Sequence, residues 1–184
     1  MSASLSVEFP HWARINEARY GHVERVKMLV LKWADEMNVD DSERARWQKA
    51  VVLHDAVKDA PAGLLDELAH EWWNVPGLRH GPAAAILAER HGETDAGILD
   101  AVRYHSVGYA NWEMVGRVLF LADYLEDGRD FHTELHQRLS GSVPSDLSGV
   151  LRMVAAERLA ASVTYGFPLL PETVEFWNTL VCER

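Results

Sequence analysis

The chain has 184 residues, 18 basic against 28 acidic side chains for a formal charge of −10, 48% apolar residues and one cysteine. That is the length of one domain able to bury a core without staples, and its ordinary composition excludes a disordered or fibrous chain. The acidic balance, with no cluster of Lys and Arg, excludes a sequence-independent nucleic-acid binder, and Cys182 alone supports neither a disulfide framework nor a thiolate metal cage.

Met1 to Pro10 carry no positive n-region and no apolar h-region, and no run approaches the roughly 18 apolar residues of a membrane span. A cytoplasmic protein without a membrane segment is expected. Strand signals are nearly absent and helical periodicity recurs throughout, so the expected fold is all-α, a single bundle of about eight or nine helices. Its organisation reads as an extension over 1–11, a main helical domain over 12–140, and C-terminal helices over 141–184 packed on the same domain.

From Trp12 to Met37 the apolar positions Ile15, Val23, Val26, Leu29, Val30, Trp33 and Met37 follow three- and four-residue steps, as one helix or as two with a break near Gly21. Asp41 or Ser42 caps the next helix, which runs to about Lys58, and Pro61 opens another through Trp72. Pro82 suits the first position of a helix reaching His91, with Gly92 as its left-handed cap, and Thr94 caps a helix ending near His105. An almost wholly apolar helix spans Asn111 to Glu126. A polar stretch follows through Ser145, then a long helix from Asp146 to Tyr165, then a last one introduced by Pro168 and Pro171.

The informative positions are polar residues inside helices that otherwise read as core. Ala50 to Val57 is apolar except for His54 and Asp55, and Val118 to Leu125 is apolar but for Asp123 and the Tyr124 hydroxyl. A buried carboxylate costs several kcal/mol unless paired or metal-bound, so Asp55 and Asp123 each need a cation. His22 lies mid-helix, His80 stands before Gly81-Pro82, and His105 ends an apolar helix. Four imidazoles and two carboxylates without a thiolate describe a nitrogen and oxygen site for Fe, Mn, Co or Ni, and six donors exceed one tetrahedral ion.

His22, the adjacent His54-Asp55 and then Asp123 have the order and spacing of an HD-superfamily phosphohydrolase, with His80 and His105 as the extra histidines of its two-metal members. Arg19-Tyr20-Gly21-His22, Leu53-His54-Asp55 with Lys58-Asp59, His80-Gly81-Pro82, Ala101 to His105, Leu121 to Glu126 and Arg129-Asp130-Phe131 resemble the YqeK family, symmetrical diadenosine tetraphosphate hydrolases of bacteria. The similarity runs from about Trp12 to Asn178. It departs at Ala56-Val57, at Ser106-Val107, at Tyr109 to Trp112 and after Glu126, which bears on the nucleoside pocket.

The resemblance implies that His22, His54, Asp55 and Asp123 hold one metal and that His80 and His105 hold a second, with Asp55 bridging. It implies two divalent or mixed-valent transition-metal ions, iron first, and in-line attack of a metal-bound hydroxide that yields two ADP. Lys58, read as one helical turn beyond His54, and Arg129 and Arg103 would meet the phosphates, with Gly108 among the substrate contacts. Asp59 would orient Lys58 or protonate the leaving group. Arg103 has a second reading as a partner of Asp100 or Glu126. A homodimer is also implied.

Two other functions fit the same ligands: a nucleotidase acting on a nucleoside monophosphate, and a mixed-valent di-iron oxygenase. His132 and His136 stand four apart on an expected helix and read as a surface pair, since His-Thr-Glu-Leu-His lacks the glutamate after its first histidine that a zinc-protease helix needs. The tryptophans read mostly as core anchors, with Trp112 offered as a platform for a base.

Overall fold

The computed structural model describes residues 7–71, 74–128 and 133–183. Among them are nine α-helices, one 3₁₀ turn at Pro76–Leu78 and no strand, and no helix is long and apolar enough to cross a membrane. In chain order the helices are α1 (Glu17–Glu36), α2 (Asp41–His54), α3 (Ala62–Ala69), α4 (His80–Arg90), α5 (Ala96–Tyr104), α6 (Met114–Leu125), α7 (Thr133–Ser142), α8 (Leu147–Thr164) and α9 (Pro171–Cys182).

Helix α1 is continuous through Gly21, and it starts at an Asn16 cap whose side chain accepts from Arg19 N, not at Trp12. Its buried face, Val23, Val26, Val30 and Trp33, has the spacing of one helical stripe. The α2 cap is Asp40, which accepts from Ser42 N and Glu43 N, and the α5 cap is Asp95, one residue later than the Thr94 expected. Gly92 does adopt the left-handed conformation, at φ 97°.

Helix α5 lies at the centre against α2, α4 and α6. Nine of the twelve α6 residues are buried, as its composition requires. The α8–α9 hairpin closes one side, where Phe176 packs on Phe120 and Trp112. At the other end of the chain Val7 is buried, its N–H donates to the Tyr20 hydroxyl, and Arg14 N donates to the Ala56 carbonyl.

Two expectations need correction. The helix expected around His136, within the polar stretch after Glu126, is α7, and its His136 and Leu139 face inward. His136 is therefore no surface residue: it is buried, edge to face-tilted against the Tyr124 ring, with Nε2 3.7 Å from Glu157; His132 lies outside the described residues. Trp112 is buried too, donating Nε1–H to the Asp100 carbonyl at 3.0 Å, and offers no face to a base.

Candidate metal centre

Helix α2 stops at His54, and Asp55 is its C-terminal cap with φ −110° and ψ 14°. The apolar pattern through Val57 suggested a longer helix, but residues 55–58 form turns, with Lys58 N donating to the Asp55 carbonyl and the Ala56 carbonyl taken by Arg14. Lys58 therefore does not share a helix face with His54. The break re-aims Asp55 away from the strict 100° helical step and lets neighbouring residues converge on one centre.

The side chains fall into two triplets, His22, His54 and Asp123, and Asp55, His80 and His105, each with its donor atoms within 4.8 Å of one another and all six buried. Asp55 spans them. Its Oδ2 lies 3.8 Å from His22 Nε2 and 3.7 Å from His54 Nε2, while its Oδ1 lies 3.2 Å from His80 Nε2 and 3.5 Å from His105 Nε2. Asp123 Oδ1 stands 3.2 Å from His22 Nε2.

The other ring nitrogens fix the tautomers. Nδ1 of His54, His80 and His105 sits 2.7, 3.0 and 2.8 Å from the carbonyls of Val51, Gly77 and Val102. A carbonyl only accepts, so each Nδ1 carries the proton and each Nε2 presents a lone pair. His80 and His105 then aim two lone pairs at each other across 3.0 Å, with the Asp55 carboxylate beside them. Ser106 Oγ, 3.1 Å from His105 Nε2, and Lys58 Nζ, 3.2 Å from His80 Nε2, can each supply one hydrogen. The rest of this acceptor cluster fits a cation.

His22 is held differently. Its Nδ1 faces Glu126 Oε1 at 3.2 Å, and Glu126 is in turn held by Arg25 and by the Gly128 N–H. Burial opposes charge on His22, but the Asp123 and Glu126 carboxylates outweigh it and raise its pKa to about 9. Glu126 is brought down to about 2 against its burial by His22, Arg25 and the Gly128 N–H. His54 and His80 are lowered to about 4, chiefly by burial. Asp55, despite its burial, is kept below the usual carboxylate range by the imidazoles around it.

Cations surround the centre. Lys58 Nζ lies 3.1 and 3.2 Å from the two nitrogens of His80, and burial lowers its pKa. Arg19 Nη1 lies 2.7 Å from Asp55 Oδ2. Asp59 accepts from Asn16 N at 3.2 Å and stands 3.8 Å from Arg19 Nε. Arg103 pairs with Asp100 at 2.7 Å, the first of the partners its second reading named. Gly108, at φ 90°, lies directly beneath the Phe176 ring, and Arg129 falls outside the described residues.

Sequence reasoning did not single out Glu126, Arg19 or Ser106. Glu126 had a signal, since an acid three residues after Asp123 at the end of an apolar helix is itself out of place. A cavity of about 840 Å³ opens beside the centre, lined by Asp123, Ser106, Tyr124, Phe120, Arg158 and Trp177 among others, mostly apolar.

An all-helical bundle that gathers four imidazoles and two carboxylates at one buried centre is a scaffold for metal ions, and the HD domain family is matched over residues 19–128, a span that includes all six side chains. The chain belongs to that family. Among relatives, it is 27% identical to the symmetrical bis(5'-nucleosyl)-tetraphosphatase of Bacillus subtilis, covering 91% of this chain and 92% of that protein. It is 24% identical to the protein of the same name from Halalkalibacterium halodurans, over 98% and 97% of the two chains. In structure it is similar to an HD superfamily hydrolase of Clostridium acetobutylicum described as involved in NAD metabolism, with a TM-score of 0.80, 26% identity and 92% coverage of both chains.

Proposed function

We propose that this chain is a metal-dependent hydrolase that cleaves diadenosine tetraphosphate, or a related dinucleoside polyphosphate, symmetrically into two ADP. Water adds across the central P–O–P linkage, so one P–O bond forms, one breaks and each half leaves as a nucleoside diphosphate. The observation that carries the reading is the Asp55 carboxylate set between two imidazole pairs whose Nε2 atoms converge on it. The full-length similarity to two tetraphosphatases supports the substrate class.

In this reading His22, His54, Asp55 and Asp123 hold one ion and His80, His105 and Asp55 the other. The donor set suits iron first, with manganese, cobalt or nickel as alternatives. Ions bound there supply Lewis acidity toward a phosphoryl oxygen and lower the pKa of water toward neutrality. The chain does the rest. Lys58 and Arg19 offer positive charge at the centre, where a tetraphosphate meets an otherwise acidic protein, and Asp59 orients Arg19. Arg103, Gly108 and Arg129 are kept as substrate contacts on the ground of the family resemblance.

The enzyme is assigned to the cytoplasm with its nucleotide substrate, as a homodimer through the apolar residues exposed on the α8–α9 hairpin, Val163, Phe167, Leu169 and Val174. Light scattering on the purified protein tests the dimer. The function is tested by anaerobic purification with iron or manganese, followed by chromatography of the products from diadenosine tetraphosphate. ADP alone is expected. AMP with ATP would move the attacked phosphorus off centre, and turnover that requires dioxygen would replace the hydrolase with an oxygenase.

A further inference from the structure

The cavity beside the metal centre has a cation in its wall that belongs to neither triplet. Arg158, on α8, donates Nη2–H to the Ser106 carbonyl at 2.8 Å, and its guanidinium carbon lies 4.6 Å from the Phe120 ring centroid and 5.7 Å from that of Tyr124. Two of these three anchors adjoin the ligands. Ser106 follows His105, and its own Oγ is 3.1 Å from His105 Nε2, while Tyr124 follows Asp123. The guanidinium is thus held between cavity and centre by Ser106 and Tyr124, each next in sequence to a ligand of one triplet.

Arg158 brings the positive charge to a wall that also holds two carboxylates. Asp123 and Glu157 are the acids of the cavity wall, and Arg158 is its cation among the described residues. Glu157 is turned to the Tyr124 hydroxyl, at 3.2 Å, and toward His136. A substrate whose central linkage lies at the metal centre extends a nucleoside diphosphate to either side. The half that enters the cavity passes the place where the aromatic faces and the Ser106 carbonyl hold the guanidinium, and a fork of N–H donors recognises phosphate oxygens better than a point charge does.

We propose that Arg158 binds the phosphates of the nucleoside diphosphate half lodged in the cavity, so that it sets affinity for substrate and for the product ADP. The proposal rests on the nucleotide reading above. Its structural alternative is a staple that ties α8 to the turn after His105, with no ligand contact.

The experiment is calorimetric titration of the metal-loaded protein with ADP at two or more salt concentrations, on wild type, Arg158→Met and Arg158→Lys, with melting temperature and metal content measured alongside. Loss of a charge-assisted contact should weaken ADP binding about 10- to 100-fold in Arg158→Met and flatten its salt dependence, and Arg158→Lys should recover part of both. ADP affinity unchanged in Arg158→Met overturns the proposal. So does weakened binding that keeps the wild-type salt dependence while melting temperature falls, which is the signature of a staple. If Arg158→Met does not fold, Arg158→Lys decides, since a fork-dependent phosphate contact weakens with charge retained and a wild-type ADP affinity refutes it. Tight, Arg158-dependent ADP binding without cleavage of diadenosine tetraphosphate would sink the hydrolase reading and leave this contact standing. Cleavage with ADP binding indifferent to Arg158 would do the reverse.

Discussion

Replacing Glu126 by glutamine removes one oxygen acceptor and leaves the shape almost unchanged, which makes it a clean test of how His22 is prepared for a metal. Three donors converge on the two oxygens: His22 Nδ1–H, Arg25 Nε–H and the Gly128 N–H. Glutamine keeps one acceptor and turns the other oxygen into an NH₂, so at least one donor meets a donor. Arg25 is 44% exposed at its side chain and can turn to water, but the Gly128 N–H is backbone and cannot, so the amide oxygen stays on Gly128 and the NH₂ is turned to the buried His22. The amide that faces His22 Nδ1 with an N–H favours the tautomer protonated at Nε2, which has no lone pair for a metal. Loss of a carboxylate partner to a ligating histidine weakens metal binding by about 10- to 100-fold, or about 1.4–2.7 kcal/mol. Competitive titration against a colorimetric chelator would show the ion on the His22 side weakened by that factor, with the His80 and His105 side little changed. Equal affinities in wild type and Glu126→Gln would refute the role given to this contact.

Gly81→Ala should act on the other side of the centre, because a Cβ there would sit 2.8 Å from the Arg103 carbonyl and 3.0 Å from that of Val102. Helix α4 would be forced off α5, carrying His80 away from His105, with about 1–3 kcal/mol lost from stability and a weaker second ion by the same titration; an unchanged melting temperature would contradict the close packing. The chelator-stripped protein should be most stable near pH 6.5. His22, raised from 6.5 to about 9, contributes up to about 3 kcal/mol that is complete below pH 6.5 and is lost as pH rises through 9. His54 and His80, lowered to about 4, act with the opposite sign, since the unfolded chain binds their protons first as pH falls from 6.5 toward 4. Melting temperatures from pH 4.5 to 9 on stripped protein check this, and a profile that rises or falls throughout would refute it.

The all-α class was legible because apolar residues recur at helical steps, and Asp55 and Asp123 stood out because charge in an apolar helix demands a partner. Their meeting with four distant histidines came from motif resemblance, since spacing along a chain does not fix which helices touch. The end of α2 was hidden by Ala56 and Val57, which are buried through tertiary contact in a turn and so extend a helical pattern past its true stop. Helix α7 was legible as a helix, but its buried face was not, because only a few inward positions, His136 and Leu139 among them, break a polar segment. Trp112 read as a platform for a base, yet Phe120 and Phe176 come from 8 and 64 residues further on to bury it. Arg158 gave no signal at all: on an amphipathic helix it reads as surface, and only the fold sets it in the wall of the cavity.

Hydrolysis at the central linkage is tested most directly by incubating the metal-loaded enzyme with diadenosine tetraphosphate in ¹⁸O-water and weighing the products by mass spectrometry. ADP as sole product, with one ¹⁸O shared between each pair of ADP molecules, is the predicted result. AMP and ATP in equal amounts, or ADP without label, would contradict it.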